Sequence, residues 1–266
     1  MNDSNLNVCL APLRIFWGDK KKNIDLLPEL FKHVHPETDI LILPELFSTG
    51  FPSDKDKETF ISLAEKNTGE TIDFLKKLSS THNLAIAGSF LANSGGLLYN
   101  RAFFIEPSGD EYFADKRHLF ALGGEDLLLR PGDSRLKVRF RGWNISMVIC
   151  YDIRFPAWCR NVDKEYDLLI AVANWPSSRI ETWDSLLKAR AIENLAYVSG
   201  VNCLGRDHTG AEYNGASKIF DFRGKDISVR VENQDLIYAS LSMQKLNAYR
   251  EKFPFWKDAD SFTIDI

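Results

Sequence analysis

The sequence predicts an α/β protein in which short apolar strands alternate with helices. Two observations support this prediction. Runs of apolar, partly β-branched residues that end at a proline or a polar residue are typical of buried strands, and Asp39-Ile-Leu-Ile-Leu-Pro44 is one of them. Segments with apolar residues at helical spacing lie between such runs, as in 180–194. This alternation favours a sheet that is covered by helices.

In the first half of the chain we predict three strands, two helices and a hairpin. Their order is strand 8–13, helix 23–35, strand 39–44, helix 68–81, strand 84–90, and hairpin strands 99–106 and 111–116. Pro107-Ser-Gly-Asp110 joins the two hairpin strands, because proline and glycine favour turn geometry. The next segment, 118–133, contains Gly123-Gly124 and Pro131-Gly132 and predicts an irregular surface loop.

The second half repeats the alternation, with predicted strands at 143–150, 167–173, 197–202, 217–222 and 235–241 and predicted helices at 156–162 and 180–194. Segments 39–45 and 167–174 each contain an acidic residue, an apolar strand and a polar residue after it. This likeness indicates two similar halves around one core. Since no low-complexity linker separates them, we expect one domain over residues 1–266.

Composition excludes several classes of function. The formal net charge of -4 and the isoelectric point near 5.8 provide no basic field, so we do not expect nucleic acid binding. The amino terminus lacks the regions of a signal peptide, and charged residues interrupt the apolar runs, so we expect a cytoplasmic protein that does not enter membranes. The cysteines and histidines show no CxxC or HExxH spacing, which predicts reduced thiols and no metal site.

Cys150 closes a predicted buried strand, and a side chain at such a strand end can face a cleft. The alternative is a buried structural cysteine. Glu45 and Lys116 also end predicted strands, although Glu45 could instead cap a helix and Lys116 could be a solvated hairpin residue. If the three strand ends meet, a carboxylate can take the thiol proton and an ammonium can stabilise an oxyanion. Such a combination suits acyl transfer.

Three segments around these residues resemble, in order, the signature segments of the nitrilase, or carbon-nitrogen hydrolase, superfamily. They are Leu43-Pro-Glu-Leu-Phe47, Ala114-Asp-Lys-Arg-His-Leu-Phe120 and Ile149-Cys-Tyr-Asp-Ile-Arg-Phe-Pro156. The resemblance continues through 173–176, 186–194 and 249–256 and is similar to the omega-amidase branch. It implies a four-layer α-β-β-α sandwich of the nitrilase type and a homodimer. Nitrilases usually carry Trp-Glu after the cysteine, so Tyr151-Asp152 points to amides rather than nitriles as substrates.

The resemblance also implies the roles of individual residues. Glu45 corresponds to the general base, Lys116 to the cation that stabilises the tetrahedral intermediate, and Cys150 to the nucleophile, while the backbone N–H of Tyr151 completes the oxyanion site. Glu125 matches a second glutamate near the lysine, although a surface acid of the loop is the alternative. The implied substrate is a small amide of a 2-oxo dicarboxylic acid, and the implied reaction needs no metal or organic cofactor.

Substrate binding is less specified by the sequence. The carboxylate of such a substrate requires a cation, and Arg154 is the candidate, although it could equally brace the loop through Asp152 or another acid. Phe47, Phe120 and Trp175 are candidates for apolar walls and could also be plain core. Two other functions stay open: an N-carbamoyl amide hydrolase with the same triad, and a non-catalytic interaction module.

Overall fold

The computed structural model describes residues 5–51, 57–207, 209–232 and 234–265. The strands are β1 (Asn5–Leu10), β2 (Ile40–Ile42), β3 (Ala85–Ser94), β4 (Leu97–Ile105), β5 (Glu111–Asp115), β6 (Leu136–Phe140), β7 (Trp143–Ile149), β8 (Leu168–Ala173), β9 (Tyr197–Asn202), β10 (Leu204–Arg206), β11 (Glu212–Asn214), β12 (Lys218–Phe220), β13 (Val229–Arg230) and β14 (Ile237–Ser242). The α-helices are α1 (Lys20–Asp25), α2 (Leu27–His33), α3 (Lys57–Leu63), α4 (Glu70–His82), α5 (Glu125–Leu128), α6 (Pro156–Cys159), α7 (Ile180–Asn194) and α8 (Met243–Lys252).

The strands form two large sheets and one small ribbon. A seven-stranded sheet has the order β13-β14-β1-β2-β3-β4-β5, and a five-stranded sheet has the order β12-β9-β8-β7-β6. Strands β1, β2 and β3 run parallel, as do β7, β8 and β9, while the remaining pairings in the two sheets are antiparallel. The parallel strands are the apolar runs of the sequence, because a parallel sheet is covered on both faces.

The three largest apolar clusters of the described residues form layers, and residue alternation along the strands explains them. Leu6, Val8 and Leu10 of β1 face the opposite sheet, whereas Cys9 between them packs toward helices α2 and α4. In the five-stranded sheet Ile170 faces inward and its neighbours pack against α6 and α7. The chain therefore folds as an α-β-β-α sandwich, and the predicted α/β class and four-layer arrangement are confirmed.

The two halves that the sequence indicates are visible in the hydrogen bonds. Asp39, just before β2, accepts the backbone N–H of Asn7 at 2.7 Å, and Asp167, just before β8, accepts that of Asn144 at 3.0 Å. Each aspartate also pairs with an arginine from another element: Asp39 with Arg141, and Asp167 with Arg250. The same hydrogen-bond and ion-pair arrangement therefore precedes β2 in one sheet and β8 in the other.

Some predicted elements differ from the observed ones. The helix expected at 23–35 is two helices that meet at Leu26, because Pro28 in the first turn of α2 has no N–H to continue α1. The loop expected at 118–133 contains α5, which carries Glu125. The apolar stripe of α7 faces the sheet through Trp183 and Leu187. Within the described ranges, no helix has both the length and the apolar character needed to cross a membrane.

Candidate active site

The ends of parallel strands bring the site together between the two sheets. Glu45 follows β2 of the seven-stranded sheet, while Cys150 follows β7 and Asn174 follows β8 of the five-stranded sheet. Lys116 directly follows β5, and its backbone N–H donates to the carbonyl of Asn100 at 2.9 Å. The carboxyl ends of strands are where α/β folds place their binding sites, and here two sheets contribute to one site.

The backbone at Cys150 is strained and is held by its neighbours. Its φ of 46° lies in the left-handed region, which non-glycine residues adopt rarely. Cys150 begins a 3-10 helix that runs to Arg154, and the Asp152 carboxylate accepts the N–H of Ile149 at 3.1 Å and that of His118 at 2.8 Å. These bonds tie the turn back to the strand and to the segment after Lys116.

A buried arginine supports the same turn from the helix layer. Arg190 of α7 donates to the carbonyl of Ile153 through Nε at 3.0 Å and through Nη2 at 2.7 Å. It is only 4% exposed, so both bonds form away from solvent. Arg190 lies in segment 186–194 of the family resemblance, but the sequence does not indicate its contact with Ile153, 37 positions away.

Lys116 lies between two carboxylates. Its Nζ donates to Glu45 Oε1 at 2.9 Å and to Glu125 Oε1 and Oε2 at 3.0 and 2.8 Å, and all three side chains are 0% exposed. Burial alone would lower the pKa of Lys116, but the adjacent carboxylates of Glu125 and Glu45 outweigh burial and raise that pKa above its ordinary value. The lysine is therefore a fixed cation.

Asn100 completes this buried network. Its Nδ2 donates to Glu45 Oε1 at 2.8 Å and to Glu125 Oε1 at 3.2 Å, so one amide bridges both acids. Glu125 also accepts the backbone N–H of Phe120 at 2.7 Å. Four donor contacts therefore surround the Glu125 carboxylate. Burial raises its pKa above the ordinary value, and the charge of Lys116 acts against that rise.

Glu45 is further fixed by the opposite sheet. The backbone N–H of Asn174 donates to Glu45 Oε2 at 2.8 Å, and Asn174 Nδ2 donates to the Glu45 carbonyl at 3.0 Å. Oε1 receives two donors, from Asn100 and Lys116, whereas Oε2 receives only the Asn174 N–H. The open acceptor position of the carboxylate is therefore on Oε2.

The thiol of Cys150 stays protonated at neutral pH. Burial raises its pKa well above the ordinary value, and the nearby Glu45 carboxylate raises it further, while Lys116 acts in the opposite direction. The thiol and the Glu45 carboxylate therefore lie close enough to interact. The arrangement is a neutral thiol beside a base, so attack by sulfur requires proton transfer to Glu45.

A pocket with a cavity volume of about 80 Å³ opens onto Cys150 and Lys116. This volume suits a small ligand. Four of the predicted binding residues line it, namely Tyr151, Arg154, Phe120 and Trp175. The rings of Phe120 and Tyr151 contact edge to face at 5.2 Å. Glu45 and Glu125 lie behind the lining, in contact with Lys116.

Phe47 departs from the expectation that it forms a pocket wall. It is 1% exposed and packs in the outer core layer, with its ring 6.0 Å from that of Phe103. Leu46 has a φ of 45°, and the Phe47 N–H then bonds to the carbonyl of Ser89 in β3. This turn directs Phe47 into the core.

Several pocket residues carry no sequence signal. Arg179, Tyr213 and Phe51 line the pocket, and Asn100 supports it from behind. An arginine after a Pro-Ser-Ser turn or an asparagine within a strand resembles many surface or core positions, so only the fold assigns them to the site. In the described part of the chain, no three His, Cys, Asp or Glu side chains are grouped so that they could hold a metal ion.

Comparisons with known proteins agree with this geometry. The carbon-nitrogen hydrolase family matches residues 7–251. The omega-amidase YafV of Escherichia coli strain K12 is 38% identical over 260 residues, which cover 97% of this chain and 98% of that protein. The 2-oxoglutaramate amidase of Bacillus subtilis strain 168 is 32% identical over 249 residues, which cover 92% and 93% of the two chains.

A solved structure from Xanthomonas campestris, described as a CN-hydrolase superfamily protein with an arsenic adduct in its active site, shares 35% sequence identity with this chain. It superimposes with a TM-score of 0.92 over 98% of this chain and 100% of the other. The strand-end site, the family match and these relatives lead to one conclusion: this chain belongs to the carbon-nitrogen hydrolase family.

Proposed function

We propose that the protein is an omega-amidase that hydrolyses the terminal amide of small 2-oxo dicarboxylic acid monoamides, such as 2-oxoglutaramate. The observation that supports this most directly is that the buried Glu45–Lys116 ion pair lies beside Cys150 at a pocket that two arginines, Arg154 and Arg179, also line. The likeness to omega-amidase YafV and to 2-oxoglutaramate amidase supports the substrate class.

In the first half-reaction, Glu45 Oε2 takes the proton of the Cys150 thiol as the sulfur attacks the amide carbon. The Nζ of Lys116 and the backbone N–H of Tyr151 stabilise the resulting oxyanion. When the tetrahedral intermediate collapses, its C–N bond breaks and the nitrogen receives the proton from Glu45. Ammonia leaves, and the acyl group remains on sulfur as a thioester.

In the second half-reaction, a water molecule gives a proton to Glu45 and its oxygen attacks the thioester carbon. Lys116 and Tyr151 again stabilise the oxyanion. The C–S bond then breaks, the sulfur recovers the proton from Glu45, and the free acid leaves. Glu125 does not exchange a proton in this sequence. Its contacts with Lys116 and Asn100 position the cation.

Ammonia release tests this proposal when it is measured over 2-oxoglutaramate, 2-oxosuccinamate, glutamine, asparagine, nitriles and carbamoyl amino acids, with Cys150→Ala as the control. We expect turnover of the 2-oxo acid amides and none in the variant. Carbon dioxide released with ammonia from carbamoyl amino acids would instead indicate an N-carbamoyl hydrolase. Uniformly slow alkylation of all four cysteines, together with no turnover, would indicate a non-catalytic module.

We also propose that residues 1–266 work as one carbon-nitrogen hydrolase domain, because both sheets contribute to one site. A homodimer is proposed as well, and Ile192, an apolar residue of α7 that is 47% exposed, is a candidate contact. Light scattering after size-exclusion chromatography measures that state. The four free cysteines support a cytoplasmic location.

A further inference from the structure

The pocket has an unusual balance of charge. Three cationic side chains line it, those of Lys116, Arg154 and Arg179, and the described residues contribute no carboxylate to the lining. Lys116 is neutralised from behind by Glu45 and Glu125. The two arginines therefore determine the charge that a ligand meets in the pocket.

Neither arginine is bound to an acid within the described ranges. The guanidinium of Arg154 lies 4.9 Å from the ring centre of Trp175, and that of Arg179 lies 5.5 Å from the ring centre of Phe120. Asp152, the acid that could have paired with Arg154, instead binds His118 and the N–H of Ile149. Both guanidiniums rest on aromatic walls, which hold a cation without using its hydrogen-bond donors.

The backbone at Arg179 is fixed although its side chain is exposed. Its carbonyl accepts the indole N–H of Trp175 at 2.9 Å, and the residue ends the 3-10 helix Ser177–Arg179 directly before α7. The long side chain thus starts from a defined point at the pocket. It can leave Phe120 and form charge-assisted hydrogen bonds with a ligand at a small cost, because no ion pair has to be broken.

We propose that Arg179 is a specificity-determining residue that acts with Arg154 as a clamp on the non-reacting end of the substrate, and that their charges exclude amides bearing a 2-ammonium group. This inference rests on the proposed function and extends it to the choice between 2-oxo and 2-amino acid amides. Glutamine and asparagine carry the same reactive amide and the same carboxylate as their 2-oxo counterparts. They differ at carbon 2.

The different hydrogen-bonding chemistry of a 2-oxo group and a 2-ammonium group explains why the arginines would favour 2-oxo substrates. A carboxylate and a neighbouring 2-oxo oxygen are both acceptors, so they match the five N–H donors of a guanidinium. An ammonium group offers only donors, and a guanidinium has no acceptor for them. A 2-amino substrate would therefore place a positive charge beside two arginines, with no carboxylate in the described lining to pair with it.

The test measures kcat and KM for 2-oxoglutaramate, glutamine and the neutral amide butyramide. It uses the wild-type protein, Arg179→Met, Arg179→Lys and Arg179→Glu, with Arg139→Met at an exposed position of β6 as the matched control. We expect Arg179→Met to lower kcat/KM for 2-oxoglutaramate about 10- to 100-fold, mainly through KM, as the loss of charge-assisted hydrogen bonds implies. The loss for butyramide should be at least about tenfold smaller than this.

The lysine variant keeps the charge and should recover part of the activity on 2-oxoglutaramate. The glutamate variant should shift the ratio of 2-oxoglutaramate to glutamine turnover toward glutamine by more than about 100-fold, because it replaces a repulsive charge with an attractive one. The Arg139 variant should match the wild type on all three substrates. Turnover of butyramide shows that the reactive centre of each variant is folded.

The two proposals can fail separately. Absence of wild-type turnover on 2-oxoglutaramate overturns the proposed function and the clamp with it. Wild-type turnover on 2-oxoglutaramate, combined with an unchanged ratio of 2-oxoglutaramate to glutamine in both Arg179→Met and Arg179→Glu, overturns the clamp alone.

Discussion

Replacing Lys116 by methionine should affect both the stability of the fold and the rate of catalysis, and the two effects can be measured separately. Lys116 Nζ makes three hydrogen bonds of 2.8 to 3.0 Å to Glu45 and Glu125, and all three side chains are 0% exposed. Lys116→Met leaves two buried carboxylates without their cation, which costs about 3–5 kcal/mol of unfolding free energy. For a chain of this size that corresponds to a fall in melting temperature of roughly 6–20 °C.

The same substitution should also lower kcat, because it removes a donor to the oxyanion. Removal of one oxyanion donor costs about 10²–10³ in kcat, so ammonia release should fall at least that far. The double variant Lys116→Met with Glu125→Gln restores the net charge of the cluster to that of the wild type. It should recover at least about half of the lost melting temperature. It should recover none of the lost kcat, because the oxyanion donor is still absent.

Thermal unfolding followed by circular dichroism and single-substrate kinetics measure the two quantities on the same samples. A double variant no more stable than the single one would refute the electrostatic account of stability. A single variant that kept kcat within tenfold of the wild type would refute the role of Lys116 at the oxyanion.

Two further predictions concern residues outside the pocket. Burial raises the pKa of Cys159 from 9.0 to about 12, so the folded state keeps a thiol that ionises above pH 9 in the unfolded chain. The contribution of Cys159 to the free energy of unfolding is therefore fully present below pH 9 and falls by about 1.4 kcal/mol per pH unit between pH 9 and 12. In urea titrations, Cys159→Ala should lose stability with rising pH less steeply than the wild type, by that slope. An equal slope in both proteins would contradict this. Arg190→Leu should lower kcat about tenfold or more by releasing the carbonyl of Ile153 below the nucleophile, with Arg190→Lys recovering part of it, and a kcat equal to the wild type would show that the turn holds its geometry without this brace.

The sequence was sufficient for the parts of the molecule that depend on local pattern. The helix predicted at 180–194 and the strand predicted at 197–202 are found with those bounds, because apolar spacing and β-branched runs determine them. Glu45, Lys116 and Cys150 could be selected because each ends a strand and lies in a segment resembling one family. Their catalytic roles remain proposals for experiment.

Contacts between distant segments could not be predicted. Asn100 lies in a strand whose pattern accounts for it without a function, and only the packing of β4 near the end of β2 brings it to Glu45, 55 positions away. Arg179 follows a turn that resembles an ordinary surface turn. The nearness of Phe47 to Glu45 in sequence makes it a candidate for a pocket wall, whereas the left-handed turn at Leu46 directs it into the core, the alternative that the sequence leaves open.

The paired aspartates before β2 and β8 show that equivalent strands begin in the same way on two facing layers. The proposed base comes from one layer and the sulfur from the other, so neither half of the polypeptide holds a reactive centre by itself. Catalytic activity then depends on how the two sheets are positioned relative to each other. A change that shifts one sheet against the other would abolish activity while leaving every strand and helix intact.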